Sequence, residues 1–306
     1  MSPMKDNQAR HWYELTDAGA LVSPALVFYP DRIAHNIDLL INSIGSIGRL
    51  RPHVKTHKSA EITGLMLQKG IARSKCATIA EAEMLGMAGA PDVLLAYQPV
   101  GPKLARYVEL MTAYPGTRFS CVLDNKVSLH EFENIAQSVS QPINAFLDLD
   151  LGMNRTGIHA ADALHLYRKA SQTKGLNILG LHAYDGHIHE PNLASRQNEW
   201  QTGWNAIMEL KKQLMALGLP EPILVAGGTP TYPFYAAEEN VECSPGTFAL
   251  WDKGYMDSFR EQEYQIAALL LTRVISMPGK ACITVDLGHK AVAAEREHTK
   301  RVYYLN

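Results

Sequence analysis

The sequence predicts an α/β chain: a (β/α)8 barrel of the TIM type followed by a small β-rich C-terminal domain. Three observations carry this expectation. Short apolar runs alternate with longer amphipathic ones from residue 25 onward, eight such runs are strand candidates, and unusual polar side chains gather where strand-like runs end. An open doubly wound sheet would share the alternation. Nothing like G-x-G-x-x-G follows the first strand, however, so the dinucleotide version of that fold loses its main support.

Residues 25–29 read as the first strand. Residues 31–43 then set Ile33, Ile37, Leu40 and Ile41 at helical spacing, and Gly45 stops the helix. The unit repeats, with strands expected at 50–54, 71–76, 93–97, 119–123, 143–149, 178–181 and 223–225. Helices are expected between them at 59–68, 78–88, 103–113, 126–138 and 160–174. The longest, 198–217, carries Trp200, Trp204, Ile207 and Leu214 on one stripe and ends at Gly218 and Pro220. After Leu250 the texture changes. Residues 267–275 and 281–286 read as extended segments around a Pro278-Gly279 turn, and 301–305 as another. The expected division is a barrel over 25–250 and a β-rich domain from 1–24 with 251–306. That domain is expected to lack its C-terminal portion, because the sequence stops inside an extended run whose backbone groups still need partners.

With 306 residues, 46% hydrophobic and 20% charged, the chain can bury a sizeable core, and a net charge of -2 with no basic face disfavours nucleic acid or anionic membrane as partners. Cys76, Cys121, Cys243 and Cys282 lie far apart with no C-x-x-C pair, and there is neither a secretory leader pattern nor a long apolar span. A soluble cytoplasmic protein is expected.

The stretch Arg51-Pro52-His53-Val54-Lys55-Thr56-His57-Lys58 stands where a strand hands over to a helix, the position at which barrel enzymes collect catalytic side chains. Lys55 has Lys58, His53 and His57 as neighbours, and crowding by positive charge favours the free, nucleophilic amine; a solvated basic loop has the same composition. Gly227, Gly228 and Thr229 arrive off a strand and could turn bare N–H groups toward an oxyanion such as a phosphate, or simply form a tight turn. Arg155, between Gly152 and Gly157, could donate to a phenolate or carboxylate, or pair with Asp148 or Asp150. Tyr184 could offer its hydroxyl to a ligand or be an ordinary buried tyrosine. His182, Asp185, His187, His189 and Glu190 invite a metal reading, but His-x-His in a loop is a weak signal.

Together, Arg-Pro-His-Val-Lys-Thr-His-Lys (51–58), Gly-Met-Asn-Arg-Thr-Gly (152–157), His-Ala-Tyr-Asp-Gly-His (182–187), Gly-Gly-Thr-Pro-Thr-Tyr-Pro-Phe (227–234) and Cys-Ser-Pro-Gly-Thr-Phe (243–248) resemble the D-threonine aldolase and D-serine dehydratase family. These are pyridoxal-phosphate enzymes of the alanine-racemase-like fold type. The resemblance implies Lys55 as the catalytic, Schiff-base lysine, Arg155 at the cofactor's phenolic oxygen and Tyr184 against the cofactor. It places Gly228 and Thr229, with Gly246 and Thr247, around the phosphate. It implies a homodimeric lyase acting on small D-β-hydroxy-amino acids by aldol cleavage or dehydration. A racemase and a non-catalytic pyridoxal phosphate carrier are the alternatives. The family also implies a divalent metal, zinc or manganese, but its His-x-Cys or His-x-Asp motif does not occur before Asn306, so no metal ligand is assigned.

Overall fold

The computed structural model describes residues 11–139 and 141–305. The chain divides into two compact units, Pro30–Ala267 and the residues on either side of it.

In the larger unit, seven parallel strands lie side by side among the described residues: Arg73–Cys76, Asp92–Leu95, Arg118–Leu123, Ile143–Asp150, Leu176–Tyr184, Ile223–Ala226 and Val241–Cys243. Residues 50–53 complete the ring. Leu50 pairs in parallel with Cys243 on one side and His53 with Lys75 on the other, through Arg51 N to the Cys243 carbonyl (2.9 Å) and Lys75 N to the Pro52 carbonyl (2.8 Å). The result is an α/β barrel of parallel strands with helices outside it.

One expectation about the strands is corrected here, and one strand was not expected. Residues 25–29 are not the first barrel strand. Ala25–Phe28 pairs antiparallel with Ala268–Leu271 in the smaller unit, where a short apolar run looks the same in sequence. The eighth barrel position is filled instead by Val241–Cys243, a three-residue strand interrupted by Glu242 and too short to stand out.

Helix starts follow side-chain chemistry. Ser59 accepts from Ile62 N, Thr78 from Glu81 N and Asn125 from Ser128 N, each satisfying an amide that the first helical turn leaves unpaired. Asn192 does the same for Ser195 N, so the longest helix is Leu193–Ala216 and begins before residue 198. Inside the ring, Leu94, Val122, Phe146 and Val225 form their own apolar cluster, while the main core lies between strands and helices. Beneath that cluster the barrel floor is ionic. Arg51, 1% exposed, donates to Asp92 and Glu242, both at 2.6 Å, and Arg118 and Arg73 add further pairs to the same two acids. Burial pushes the Asp92 carboxyl up, but Arg51 and Arg118 more than offset this and hold it below its ordinary value.

The smaller unit holds the antiparallel pair already described and a hairpin, Val274–Gly279 with Cys282–Val285. Asp286 gathers Ser23, the Thr272 hydroxyl (2.7 Å) and Arg273 N (2.9 Å), and these bonds, Ser23 foremost, bring its carboxyl down to about 2. Residues 301–305, expected to be extended, join no sheet. No helix among the described residues is long and apolar enough to cross a membrane.

Candidate active site

Lys55 lies in a single 3₁₀ turn, Val54–Thr56, that leaves the barrel ring at the carboxyl end of residues 50–53. Two imidazoles build this turn. His53 Nδ1 accepts from Lys55 N at 3.2 Å, and His57 Nδ1 accepts from Ser59 N at 3.1 Å, one step before Ser59 caps the helix Ala60–Gln68. Burial, with Lys58 adding to it, brings His57 down to about 4 against the opposing bond to Ser59 N; burial and then Lys75 push His53 well below its usual range. Both rings are therefore neutral near pH 7, and the expectation that they crowd Lys55 with positive charge does not hold. Lys58, the other expected neighbour, donates its ammonium to the Lys55 carbonyl at 2.8 Å.

The side chains meet on Tyr184. Lys55 Nζ stands 5.1 Å from the ring centre, Lys75 Nζ 5.3 Å and Arg155 Cζ 5.5 Å, with Arg155 also 5.7 Å from the Tyr97 ring. The ion pair weighed for Arg155 is not what the two acids are used for. Asp150 accepts from Gly152 N and Asn154 N and shapes the loop, and Asp148 accepts from His182 Nδ1 at 2.6 Å and from Gln98 at 2.9 Å. Burial raises the Tyr184 hydroxyl above its ordinary value, with Arg155 opposing it.

The glycine turn reaches the same ring. A Cβ on Gly228 would lie 3.1 Å from the Tyr184 ring edge, and Gly227, at φ +77°, leaves no room for one beside Tyr235. Thr229 Oγ1 accepts from Gly246 N and Thr247 N, both at 3.0 Å, so these two amides converge on a single oxygen. The buried Ser244 hydroxyl next to them has no protein partner. Gly246 in turn packs against His53, where an added Cβ would sit 3.1 Å from the His53 carbonyl. Lys55, Arg155, Tyr184 and the two glycine turns thus share one mouth.

The five metal candidates are dispersed. His182 bonds to Asp148, Asp185 accepts from Thr231 at 2.9 Å, His189 bonds to the His187 carbonyl and Glu190 accepts from Asn192 N. Among the described residues no group of three or more His, Cys, Asp or Glu could hold a metal ion. Sequence reasoning passed over Lys75, which is 2% exposed inside the barrel. The available signal was a lysine at an inward position of a strand already recognised at 71–76.

A family described as alanine racemase, N-terminal domain, matches residues 29–251. The chain is 27% identical over 252 residues to a D-threonine aldolase from Arthrobacter sp., covering 80% of this chain and 66% of that protein. It is 24% identical over 288 residues to a D-threo-3-hydroxyaspartate dehydratase from Delftia sp. (strain HT23), covering 90% and 74%. Among solved structures, D-threonine aldolase from Filomicrobium marinum superposes with a TM-score of 0.82 at 24% identity, over 89% of this chain and 75% of that one.

Proposed function

We propose that this chain, which belongs to the alanine racemase N-terminal domain family, carries the site of a pyridoxal-phosphate lyase for small D-amino acids bearing a β-hydroxyl. The observation that carries the reading is the meeting of three separate elements on one ring. Lys55 and Arg155 stand over Tyr184, and Gly228 packs against its edge. The donor set suits the cofactor: an amine for its aldehyde, a guanidinium for its phenolic oxygen, and, for its phosphate, the turn in which Thr229 Oγ1 accepts from Gly246 N and Thr247 N, with the unpartnered Ser244 hydroxyl beside it. Bound there, the group supplies an electron sink for the bonds at the substrate's Cα.

The chain's own residues divide the remaining work. Lys55 would hold the cofactor's aldehyde carbon, and as a free amine it would accept or return a proton at its Nζ. Its turn is set by His53 and His57, whose neutral rings fix the backbone. Arg155 supplies fixed positive charge beside Tyr184, and Thr229, with Gly228, Gly246 and Thr247, forms the phosphate turn. The described residues offer a divalent metal no fitting site. The Arthrobacter and Delftia relatives, an aldolase and a dehydratase named for hydroxy-D-amino acids, support the substrate class.

Incubating cofactor-loaded protein with D-threonine and with D-threo-3-hydroxyaspartate tests the reading. Glycine plus an aldehyde identifies aldol cleavage, and ammonia plus an oxo acid identifies dehydration. Inversion of configuration without cleavage, or binding without turnover, contradicts it.

A further inference from the structure

Lys75 is the most deeply buried cation near the mouth, and its setting is built rather than incidental. Parallel pairing with His53 fixes its strand beside residues 50–53, and its Nζ lies 3.3 Å from His182 Nε2. His182 and Asp148 are partners in strand register, and His182 Nδ1 stands 2.6 Å from Asp148 Oδ1. Burial pushes the Asp148 carboxyl up, but the bonds from His182, Thr156 and Gln98 outweigh it and hold the group ionised. An ionised carboxylate only accepts, so His182 carries its proton on Nδ1 and presents a lone pair at Nε2. Lys75 is then the donor in the 3.3 Å contact. One N–H of Lys75 is fixed in this way, and the rest of the amine faces the Tyr184 ring.

The charged and titratable groups around Lys75 come from three elements: Arg51, His53 and Lys55 from the closing segment, Asp148 from its strand, and His182, Tyr184 and Asp185 from the strand Leu176–Tyr184 and the residue after it. Burial, then the charge of Lys55, brings Lys75 down to about 7, with Asp148 and Asp185 opposing. A structural ion pair would have had the opposite effect.

We propose that Lys75 is a second working amine of this site: it takes up a proton released by the substrate, and Asp148, acting through His182, stabilises the ammonium that forms. The inference rests on the lyase reading above. The bond that breaks is the substrate's bond to hydrogen, whose electron pair stays on the substrate. The bond that forms is from the Lys75 lone pair to that proton, which leaves again when the site resets. No oxidant, reductant or co-reactant is needed.

Three measurements on Lys75→Met and Lys75→Arg test it. The first uses cofactor-free protein. Unfolded lysine keeps its proton to about 10.4, whereas folded Lys75 gives it up near 7. The unfolded state therefore binds more protons at Lys75 between these values, so the lysine's contribution to stability in urea rises with pH across that window. The parent is expected to gain stability relative to Lys75→Met as pH rises from about 7 to about 10; equal slopes in the two proteins overturn the inference. The second is the pH midpoint of the visible absorption of lysine-bound cofactor. Removing the Lys75 charge should move the midpoint up, and fixing the charge as Arg should move it down, whereas a lysine that keeps its charge throughout would leave the midpoint of the Arg variant unchanged. The third is kcat. Both variants should lose roughly 100-fold, and the acid limb near pH 7 should vanish. An Arg variant with parental kcat overturns the inference, because guanidinium cannot accept the proton. If no lysine-bound absorption develops in the parent, the lyase reading fails and this inference with it; if it develops at Lys55 with unmoved midpoints, only this inference fails.

Discussion

The floor of the barrel buries its charges, whereas at the mouth Lys75 and Asp148 are buried and Lys55 and Arg155 are exposed. At the floor, Arg51 meets Asp92 and Glu242, and Arg73 and Arg118 complete the set, so every buried acid faces a cation. At the mouth, Lys55, Lys75 and Arg155 crowd a single tyrosine ring, and the nearby carboxylate of Asp148 is bonded to His182 and Gln98 instead. A closed network of this kind holds a shape. A cluster of cations around an aromatic face suits an anionic ligand. What the charges meet, rather than their burial, distinguishes the two ends.

The sharpest break in the comparison is Lys55→Ala. It should cut turnover by roughly 10³-fold or more and abolish lysine-bound cofactor absorption, while the urea midpoint of the cofactor-free protein stays near the parent's. Arg51→Met should do the reverse. Leaving Asp92 and Glu242 buried without their shared cation costs about 3–5 kcal/mol in urea unfolding, while kcat of the protein that remains folded changes far less than in Lys55→Ala. Gly228→Val drives a side chain against the Tyr184 ring and should weaken pyridoxal phosphate binding by roughly tenfold, or about 1.4 kcal/mol, measured by equilibrium dialysis.

The smallest effect separates the two ends by pH. His57 titrates near 4 when folded and near 6.5 when unfolded, so the unfolded state binds more protons between those values and stability falls as pH drops through them. Asp92 is held below its ordinary value. Its contribution is present above the unfolded value, about 3.9, and is lost only as pH falls through the folded one. Acid unfolding should therefore show loss at the mouth before loss at the floor. His57→Gln should diminish the upper portion, which His53 shares, and leave the lower, and identical pH curves for parent and variant would contradict the assignment.

Much of this was legible in the sequence, for identifiable reasons. The alternation of apolar and amphipathic runs located six of the barrel strands, because parallel strands buried on both faces read as apolar runs, and a strand was also expected at 50–54, where the segment that closes the ring lies. Helices expected to begin at 59, 78 and 126 begin within a residue of those positions, where Ser59, Thr78 and Asn125 satisfy the first-turn amides. The strings around Lys55, Arg155, Tyr184 and Gly228 were legible as strand ends, and the ring of Tyr184 brings them together. What failed depended on partners far away in sequence. Residues 25–29 pair with residues 268–271, which no local pattern announces. Val241–Cys243 was hidden because Glu242 points at Arg51 and breaks the apolar run. The charge expected on His53 and His57 was misjudged because burial, which the sequence does not show, decides it. Lys75 looked like an ordinary polar residue until the barrel enclosed it.

The central claim is that the amine at position 55, rather than its buried neighbour, holds the cofactor. Borohydride reduction of the protein loaded with pyridoxal phosphate, followed by peptide mapping by mass spectrometry, tests it directly. The account predicts a phosphopyridoxyl group on Lys55 alone. A group on Lys75, or no reducible adduct, would contradict it.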